Sequence, residues 1–427
     1  MILFNKSKLP VLLVSFSLFL CINCENASNA PEYNPVLFYS LDRPTIKEEI
    51  INRINSCKES LIFVSNSIND TQIAQAVVDA NLRGIDVTVV IDGKNNESEQ
   101  FELLINNFVP AHTRAEETKL ASFFMIFDNQ YLMLGNYEMI MNNDESLSMV
   151  FVVNNKDLIK HFHFEFSILS RGASSADKDF EFDQFLGPMT NNDLFDPEWY
   201  LSNQILLETG TNKGTWNQLT TEIENMNVTP FFTPYNLTEL RYGTFELNEL
   251  KTWSYNTTEH IFTDYETDET IIENHNDFYN ILIPELKNSK LSLTIVSNQL
   301  NDMQLIHEIV QLANKGVDIN LYLDYQLMSE FFENFPETAV ILDSSVSSIN
   351  LFKTKSGASL DTNIIIIDDN DIILSNDSFT GNSFNNNDNC ILIINDANKM
   401  ISEIERIFYI KNYMFINYSS GETNSDD

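Results

Sequence analysis

Residues 64–92 read VSNSINDTQIAQAVVDANLRGIDVTVVID, and residues 296–324 read VSNQLNDMQLIHEIVQLANKGVDINLYLD. The two stretches align without a gap at a constant separation of 232 residues, and 10 of their 29 positions are identical. Agreement at this level over an ungapped stretch is not expected by chance. The chain therefore contains the same structural unit twice.

Each copy of the unit predicts a strand, a helix and a second strand. The apolar runs at 61–64 and 293–296 are rich in β-branched residues, as in buried strands. The stretch that follows has apolar residues at helical spacing, and it ends at Gly84 in one copy and at Gly316 in the other. A strand then runs to Asp92 or to Asp324. A helix that connects two neighbouring parallel strands is a βαβ unit.

Two further blocks repeat later in each half. Residues 123–136 match residues 363–376 at a separation of 240, and both blocks predict two short strands joined by a tight polar turn. Residues 149–154 match 390–395, and in both copies this third block predicts one more strand that leads into a closing helix. The repeat thus covers most of the chain and predicts an α/β fold.

The repeat divides the chain into four parts after its N-terminal leader. We assign a first half to residues 36–172, an insertion to 173–267, a second half to 268–418 and a disordered tail to 419–427. The insertion has no counterpart in the repeat and contains Trp199, Trp216 and Trp253. An unfolded linker would not need three tryptophans. We therefore expect the insertion to be partly ordered, to cover the surface of one half and to offer a contact for a protein partner.

The composition is strongly acidic. The 427 residues include 25 Lys and Arg against 62 Asp and Glu, which gives a formal net charge of −37. Nucleic acids and anionic lipids attract clustered basic residues, so we expect no nucleic-acid partner. With 43% hydrophobic residues the chain is able to bury a large core. Two of the four cysteines lie within the first 24 residues, which leaves Cys57 and Cys390 as small core residues rather than a disulfide framework.

The N-terminus has the pattern of an export signal. Lys6 and Lys8 precede an apolar run over 9–22, which is too short for a membrane span of about 20 residues. Two outcomes stay open for the predicted signal at 1–24. A signal peptidase releases the protein after a small residue such as Cys24 or Ala30, or Cys24 becomes the acylated first residue of a lipoprotein. The sequence predicts an exported protein that is either secreted or anchored in a membrane through lipid alone.

The order of the predicted strands and helices in each half resembles that of the phospholipase D superfamily. The resemblance rests on the strand ending in Ser65-Asn66, the Asn69-Asp70 helix start, the Arg-Gly-Ile-Asp-Val segment from Arg83, and the later strand, Asp and hairpin. It implies two αβα sandwich halves related by pseudo-twofold symmetry within one chain, so that a monomer is complete. It also implies a His-x-Lys-x4-Asp motif in each half, in which one histidine attacks phosphorus and the other protonates the leaving oxygen.

The sequence departs from that motif in both halves. The acids are retained as Asp128 and Asp368, and Gly135 follows the first of them at the expected distance, whereas Ser375 follows the second. The positions of the two histidines and the two lysines hold other residues, namely Ala121, Phe123, Asp361 and Asn363. These side chains supply no imidazole nucleophile and no ammonium group for the charge that develops on phosphate oxygens. A carboxylate at 361 also repels a phosphodiester.

The leading interpretation is therefore a catalytically inactive, exported binding or scaffold protein that holds a small ligand or a protein. The alternative is a hydrolase that still cleaves phosphodiesters in lipids or nucleic acid with nonstandard groups. Asp128 and Asp368 are interpreted as caps of their own turns. His112, Arg114 and Lys119, which precede Phe123, are expected in a solvated loop. His161 and His163 alternate as in a strand, but no third ligand stands nearby, so neither a metal nor a cofactor is expected.

Overall fold

The computed structural model describes residues 36–39, 45–114, 119–137, 146–171, 173–175, 220–233, 253–256, 261–264, 270–272, 279–324, 349–355, 359–381, 383, 387–410 and 415–417. The expectations for the signal at 1–24, for Cys24 and for the tail at 419–427 lie outside these residues. The same holds for Trp199 and Trp216.

The first half is built on an eight-stranded mixed sheet in the order β1-β8-β6-β5-β2-β3-β4-β9. Its strands are β1 (Val36–Tyr39), β2 (Ser60–Ser65), β3 (Asp86–Ile91), β4 (Ala111–Arg114), β5 (Phe124–Phe127), β6 (Tyr131–Asn136), β8 (Met149–Val153) and β9 (Ala173–Ser175). A short strand, β7 (Ser146–Leu147), lies outside this sheet. The helices are α1 (Ile46–Ser56), α2 (Thr71–Leu82), α3 (Glu99–Asn106) and α4 (Lys156–Arg171).

The second half is built on a nine-stranded sheet in the order β10-β11-β21-β20-β19-β15-β16-β17-β22. Its strands are β10 (Thr221–Ile223), β11 (Met226–Thr233), β15 (Ser292–Ser297), β16 (Asp318–Leu323), β17 (Ile349–Thr354), β19 (Asn363–Ile367), β20 (Asp371–Ser375), β21 (Asn389–Asn395) and β22 (Phe415–Asn417). The described helices are α5 (Tyr279–Lys287), α6 (Met303–Asn314) and α7 (Asn398–Ile410). A separate three-stranded sheet contains β12 (Trp253–Asn256), β13 (Ile261–Asp264) and β14 (Thr270–Ile272), and β18 (Ser359–Leu360) pairs with β7.

The two large sheets have the same plan, which extends the repeat beyond the boundaries predicted from sequence. β11 pairs antiparallel with β21 just as β1 pairs with β8, and β22 pairs antiparallel with β17 just as β9 pairs with β4. The second half therefore begins at or before Met226 rather than at 268, and the first half includes Ser175. Part of the assigned insertion thus belongs to the two sheets. Sequence matching missed these outer strands, because strand pairing uses backbone hydrogen bonds and does not require the paired strands to have similar side chains in the two halves.

The layers follow from the alternation of side chains along each strand. In β2, Leu61 and Phe63 pack against α1, α2 and α3 in one core cluster, whereas Val64 faces a second cluster that is shared by both sheets. α5 and α6 cover the outer face of the second sheet in the same way. α4 and α7 lie in the middle layer: on α4, Phe162 makes edge contacts with Phe124 of the first sheet and Phe232 of the second at centroid distances of 5.1 and 5.3 Å. The predicted αβα halves are confirmed, and the central helices join them.

Side-chain caps start three of the helices that flank the repeated strands. Thr45 and Glu48 form a capping box at the start of α1. Asp70 and Asp302 occupy the equivalent N-cap positions of α2 and α6, where their carboxylates accept hydrogen bonds from backbone N–H groups of the first turn. Cys57 and Cys390 are buried free thiols, and burial raises the pKa of Cys57 to about 12. No helix among the described residues is both long and apolar enough to cross a bilayer.

Candidate functional site

The β5–β6 and β19–β20 hairpins meet at the boundary between the halves through two asparagines. The Asn136 amide donates to the carbonyl oxygens of Ser375 and Asn376 at 2.8 and 2.9 Å. In return, the Asn376 amide donates to the carbonyl oxygens of Phe123 and Gly135. Each asparagine side chain thus donates to the carbonyl oxygen of the residue that precedes the other asparagine, as expected for a pseudo-twofold pair. The sequence carried a signal for this pair, because both residues follow a buried strand at the repeat separation of 240.

A second reciprocal set of contacts lies beside the asparagines. The backbone N–H of Ala121 donates to the carbonyl oxygen of Asp388 at 2.8 Å, and that of Asp361 donates to the carbonyl oxygen of Leu147 at 3.2 Å. The hydroxyls of Ser122 and Thr362 donate to the same two carbonyl oxygens. The segments that carry the degenerate motifs are therefore fixed by backbone contacts to the opposite half.

A cavity of about 290 Å³ opens between these segments. Its lining comes from both halves and is dominated by amides and hydroxyls. The lining residues are Ser65, Asn66, Ser67, Asn69, Asn95, Lys119, Ala121, Phe123, Gly135, Asn136, Tyr137, Asn298, Asp361, Asn363, Asn376 and Asp377. The lining residues come from the loops after β2, β3 and β15, from the segments that lead into β5 and β19, and from the ends of the two hairpins.

Of the six motif positions, four line this cavity and two do not. Ala121 and Phe123 meet Asp361 and Asn363 there, although 240 residues separate the equivalent positions. Asp128 and Asp368 lie at the far ends of β5 and β19, so neither acid is part of the cavity. The geometry therefore divides the degenerate motif into a cavity part and a distant part.

Asp128 and Asp368 bind the loops that lead into β2 and β15. The Asp128 carboxylate accepts from the backbone N–H groups of Lys58, Glu59 and Ser60 at 2.8 to 3.1 Å. Asp368 accepts in the same manner from Lys290, Leu291 and Ser292, and also from the Ser289 hydroxyl. A structural role was predicted for both acids, as caps of their own turns. Each carboxylate instead stabilises the loop that leads into the neighbouring strand, β2 or β15. Both acids have a positive φ within their own turns.

These contacts affect the protonation of the two acids. Burial alone would raise the pKa of Asp128, but the N–H groups of Glu59, Ser60 and Lys58 outweigh it, and the net shift is downward. Burial also opposes the shift at Asp368, where the N–H groups of Leu291, Ser292 and Lys290 and the Ser289 hydroxyl lower the pKa. Both acids are therefore held as carboxylates in the folded protein.

Replacing Asp128 and Asp368 together by Asn should destabilise the protein in a pH-dependent way. At pH 7 we expect the free energy of unfolding to fall by roughly 1–2 kcal/mol per site, because the charge-assisted hydrogen bonds of the carboxylate are lost. The effect is not larger because both carboxylates are partly exposed to solvent. A folded-state pKa below the unfolded value of about 3.9 means that the stabilisation is present above that pH and is lost as the pH falls through the folded-state pKa. Urea unfolding at pH 7 and at about pH 3 measures the difference between variant and parent.

The matched control is Asp86→Asn, an exposed aspartate at the start of β3. This substitution should leave stability almost unchanged at both pH values. An Asp128 and Asp368 double variant that loses the same free energy at pH 3 as at pH 7 would contradict the assigned carboxylate role.

Asp361 and Asn363 are held in place by hydroxyls. Asp361 accepts from the hydroxyls of Ser146 and Ser148, which belong to the opposite half. The side-chain oxygen of Asn363 accepts from the Ser297 hydroxyl at 2.7 Å and from the Asn298 N–H at 3.3 Å. The carboxylate and the amide are thus fixed parts of the wall.

The structure corrects two expectations about basic residues near Phe123. His112 and Arg114 lie in β4 rather than in a loop, and they are 7% and 3% exposed. Arg114 binds Asp388 of the second half through two nitrogens, at 2.7 and 3.2 Å. Lys119 does reach the cavity, where its ammonium lies 3.0 Å from Asp377. Nothing in the sequence pairs Arg114 with an acid 274 residues away, since only the folded topology brings the two residues together.

The strand-like arrangement expected for His161 and His163 was wrong. Both residues lie in α4, where a spacing of two places side chains on different sides of the helix. Burial lowers the pKa of His163 to about 4, and it lowers the pKa of His112 to about 4 as well. Among the described residues, no group of three or more His, Cys, Asp or Glu side chains is placed to hold a metal ion.

The fold and the repeat agree with a known family. The family model described as "Cardiolipin synthase, PLD-like domain" matches residues 50–169 and again residues 282–411, which together are more than half of the chain. The chain belongs to the phospholipase D-like family. Each match falls on one of the two large sheets, so the family repeat and the structural repeat are the same.

Solved structures show the same phospholipase D-like fold at low sequence identity. Phosphatidylserine synthase from Haemophilus influenzae Rd KW20 superposes with a TM-score of 0.59 at 11% identity, over 90% of this chain and 87% of that one. Polyphosphate kinase from Porphyromonas gingivalis gives a TM-score of 0.52 at 10% identity, over 91% of this chain and 53% of that one. No curated protein matches the sequence significantly. At these identities the likeness shows the fold alone.

Proposed function

We propose that this phospholipase D-like protein is a catalytically inactive binding protein that acts outside the cytoplasm and holds a ligand in the cavity between its halves. The observation that carries the proposal is the set of side chains at the four motif positions in the cavity. Ala121, Phe123, Asp361 and Asn363 stand where the family resemblance implies two histidines and two lysines.

The chemistry of phosphodiester cleavage supports this interpretation. The route that the resemblance implies needs an imidazole nucleophile and a second group that protonates the leaving oxygen. The structure describes four of the six histidines, His112, His161, His163 and His307, and none of these four lines the cavity. Loss of every acting group of a catalytic unit leaves only residual binding effects.

The charges at the cavity also disfavour a phosphodiester substrate. Asp361 and Asp377 carry negative charge there, and Lys119 is paired with Asp377. A phosphate oxygen close to Asp361 would be repelled, and the formal net charge of −37 adds to the repulsion. This argues against nucleic acid and anionic lipid as ligands and leaves a neutral or cationic molecule. Since both halves are present in one chain, the cavity is complete in a monomer.

The proposed location rests on the sequence of the leader. The charged start and the apolar run over 9–22 support export, and Cys24 is the candidate for lipid attachment. Mass spectrometry of the mature N-terminus separates the two outcomes, because a lipoprotein begins at an acylated Cys24 and a secreted protein does not. An N-terminus that retains Met1 and the apolar run would remove the proposal of export.

The purified mature protein should not hydrolyse phosphatidylcholine or single-stranded DNA above the rate of a protein-free blank. A competent phospholipase D-like enzyme assayed in parallel shows that the conditions allow turnover. A variant with Ala121→His, Phe123→Lys, Asp361→His and Asn363→Lys tests whether restored groups bring activity back to the same frame. Its fold must be checked by circular dichroism, because Asn363 binds Ser297 in the parent.

Turnover by the natural protein would favour the alternative, a hydrolase with nonstandard groups. Lys119 is the residue to test in that case, because its ammonium lines the cavity. If natural turnover were observed and Lys119→Ala abolished it, the inactive interpretation would be wrong.

A further inference from the structure

Several polar groups in the cavity have no partner within the protein. Among the described residues, the hydroxyls of Ser65 and Ser67 and the side-chain amides of Asn69 and Asn298 line the cavity without a hydrogen bond. The oxygen of the Asn298 amide is buried and unpaired. Polar groups in folded proteins usually have hydrogen-bond partners, so this set of unpaired groups around the cavity is available to a ligand.

The repeat offers a direct comparison for Asn298. Asn66 is the equivalent of Asn298, at the separation of 232 residues. Its amide donates to the carbonyl oxygen of Leu120 at 3.1 Å, and its oxygen accepts from Asn95 at 2.9 Å. Asn298 has neither of these side-chain contacts. The equivalent asparagine therefore has side-chain partners in the first half and an unpaired side-chain oxygen in the second.

The charged groups at the cavity are already occupied. Lys119 lies 3.0 Å from Asp377, which also accepts from the Ser378 N–H and the Asn387 amide. Asp361 accepts from two serine hydroxyls. An anionic ligand would meet a lysine that is already paired with a carboxylate. A cationic ligand would have to compete with the ammonium, hydroxyl and amide groups that the two carboxylates already bind. The groups that remain available are neutral, and hydroxyls and amides both donate and accept.

The cavity also has one aromatic wall. The rings of Phe123 and Tyr137 stand edge to face with a centroid distance of 6.3 Å. Both residues line the cavity. Sites for small molecules combine apolar and aromatic walls with a few placed polar groups, and their volumes start at about 300 Å³. A volume of about 290 Å³ suits a ligand of about one ring.

We infer that the cavity binds a neutral polyhydroxylated ring, such as a single sugar residue, whose hydroxyls pair with Asn69 and Asn298 and whose C–H face packs on Phe123 and Tyr137. This inference rests on the proposed binding function and gives its ligand class. A hydroxyl can both donate to and accept from amide and hydroxyl side chains, and it brings no charge next to Asp361.

Saturation-transfer NMR and titration calorimetry on the full mature chain test the inference. The probes are glucose, galactose, mannose, N-acetylglucosamine and myo-inositol, with choline and inorganic phosphate as charged comparators. We expect saturable binding of at least one neutral probe. Asn298→Ala should weaken that binding at least about fivefold through loss of a hydrogen bond. The matched control, Asn106→Ala at an exposed position of α3, should bind as the parent does.

The outcomes separate this inference from the proposed function. If no neutral probe binds saturably, or if Asn69→Ala and Asn298→Ala both leave binding unchanged while the melting temperatures stay equal, the ligand class is overturned. If choline or phosphate binds instead and Asn298→Ala weakens that binding, the polyhydroxylated ligand is wrong but a non-catalytic binding protein remains. Turnover of a phosphodiester would remove the proposed function whatever the sugar result.

Discussion

Replacing Arg114 by Met should lower the free energy of unfolding by about 3–5 kcal/mol, because removal of one partner leaves a buried charge without compensation. Arg114 and Asp388 are 3% and 6% exposed at their side chains and are joined at 2.7 Å. The pair links β4 of the first half to the residue just before β21 in the second. Urea unfolding followed by circular dichroism and tryptophan fluorescence measures the loss and shows whether the halves separate before they unfold.

Two variants control for this result. Lys160→Met breaks the pair with Asp157 on α4, whose side chains are 24% and 54% exposed, and it should cost no more than about 1 kcal/mol. The double variant Arg114→Met with Asp388→Leu should recover much of the loss, since it leaves no unpaired charge. If Arg114→Met cost no more than Lys160→Met, the buried pair would not be a main link between the halves.

Replacing Gly135 by Ala should cost roughly 3–5 kcal/mol, through strain and overpacking together. Gly135 has a φ of +140°, and an added Cβ would lie 2.4 Å from the carbonyl oxygen of Met149 and 2.8 Å from the Cα of Val150. These are backbone atoms of the neighbouring strand β8, so they are unable to move without opening the β6–β8 ladder. That shift would also displace Asn136 and the cavity wall, and thermal unfolding should show the loss directly.

Gly84→Ala is the matched control. Gly84 also has a positive φ, of +84°, but an added Cβ would have no atom within 4 Å. Gly84→Ala should therefore lower the free energy of unfolding only by the cost of holding a non-glycine residue at a positive φ, about 1–2 kcal/mol. If Gly84→Ala and Gly135→Ala were equally destabilising, the close approach of β8 would not be the reason for glycine at 135.

Gly135 and Ser375 show how far the repeat predicts such a constraint. They occupy equivalent positions before Asn136 and Asn376, yet only Gly135 of the two has a positive φ. Ser375 has a buried hydroxyl that donates to the carbonyl oxygen of Asp377 and accepts from the Asn389 amide. The departure of Ser375 from the glycine of the motif is therefore accommodated by a local hydrogen-bond network that the first half does not have at this position.

The motif positions illustrate what sequence reasoning can and cannot reach. The separation of 240 residues identified Ala121 with Asp361 and Phe123 with Asn363, and the family resemblance implied that the two halves face each other. Neither indicated that Ser146 and Ser148 would hold Asp361 from the opposite half. Lys119 was expected in solvent, and its side chain is 46% exposed, but the sequence did not indicate that its ammonium pairs with Asp377 across the boundary.

The sequence by itself determined the repeat, the βαβ units and the family. Apolar periodicity, N-caps and helix-ending glycines depend on residues that are close together along the chain, and they can be read without knowledge of the partner half. Only the tertiary structure decided the pairing of the outer strands β11 and β22, the Arg114–Asp388 pair and the unpaired amide oxygen of Asn298. These features arise where segments distant in sequence meet, and a contact of that kind is fixed by the register and packing of both halves at once.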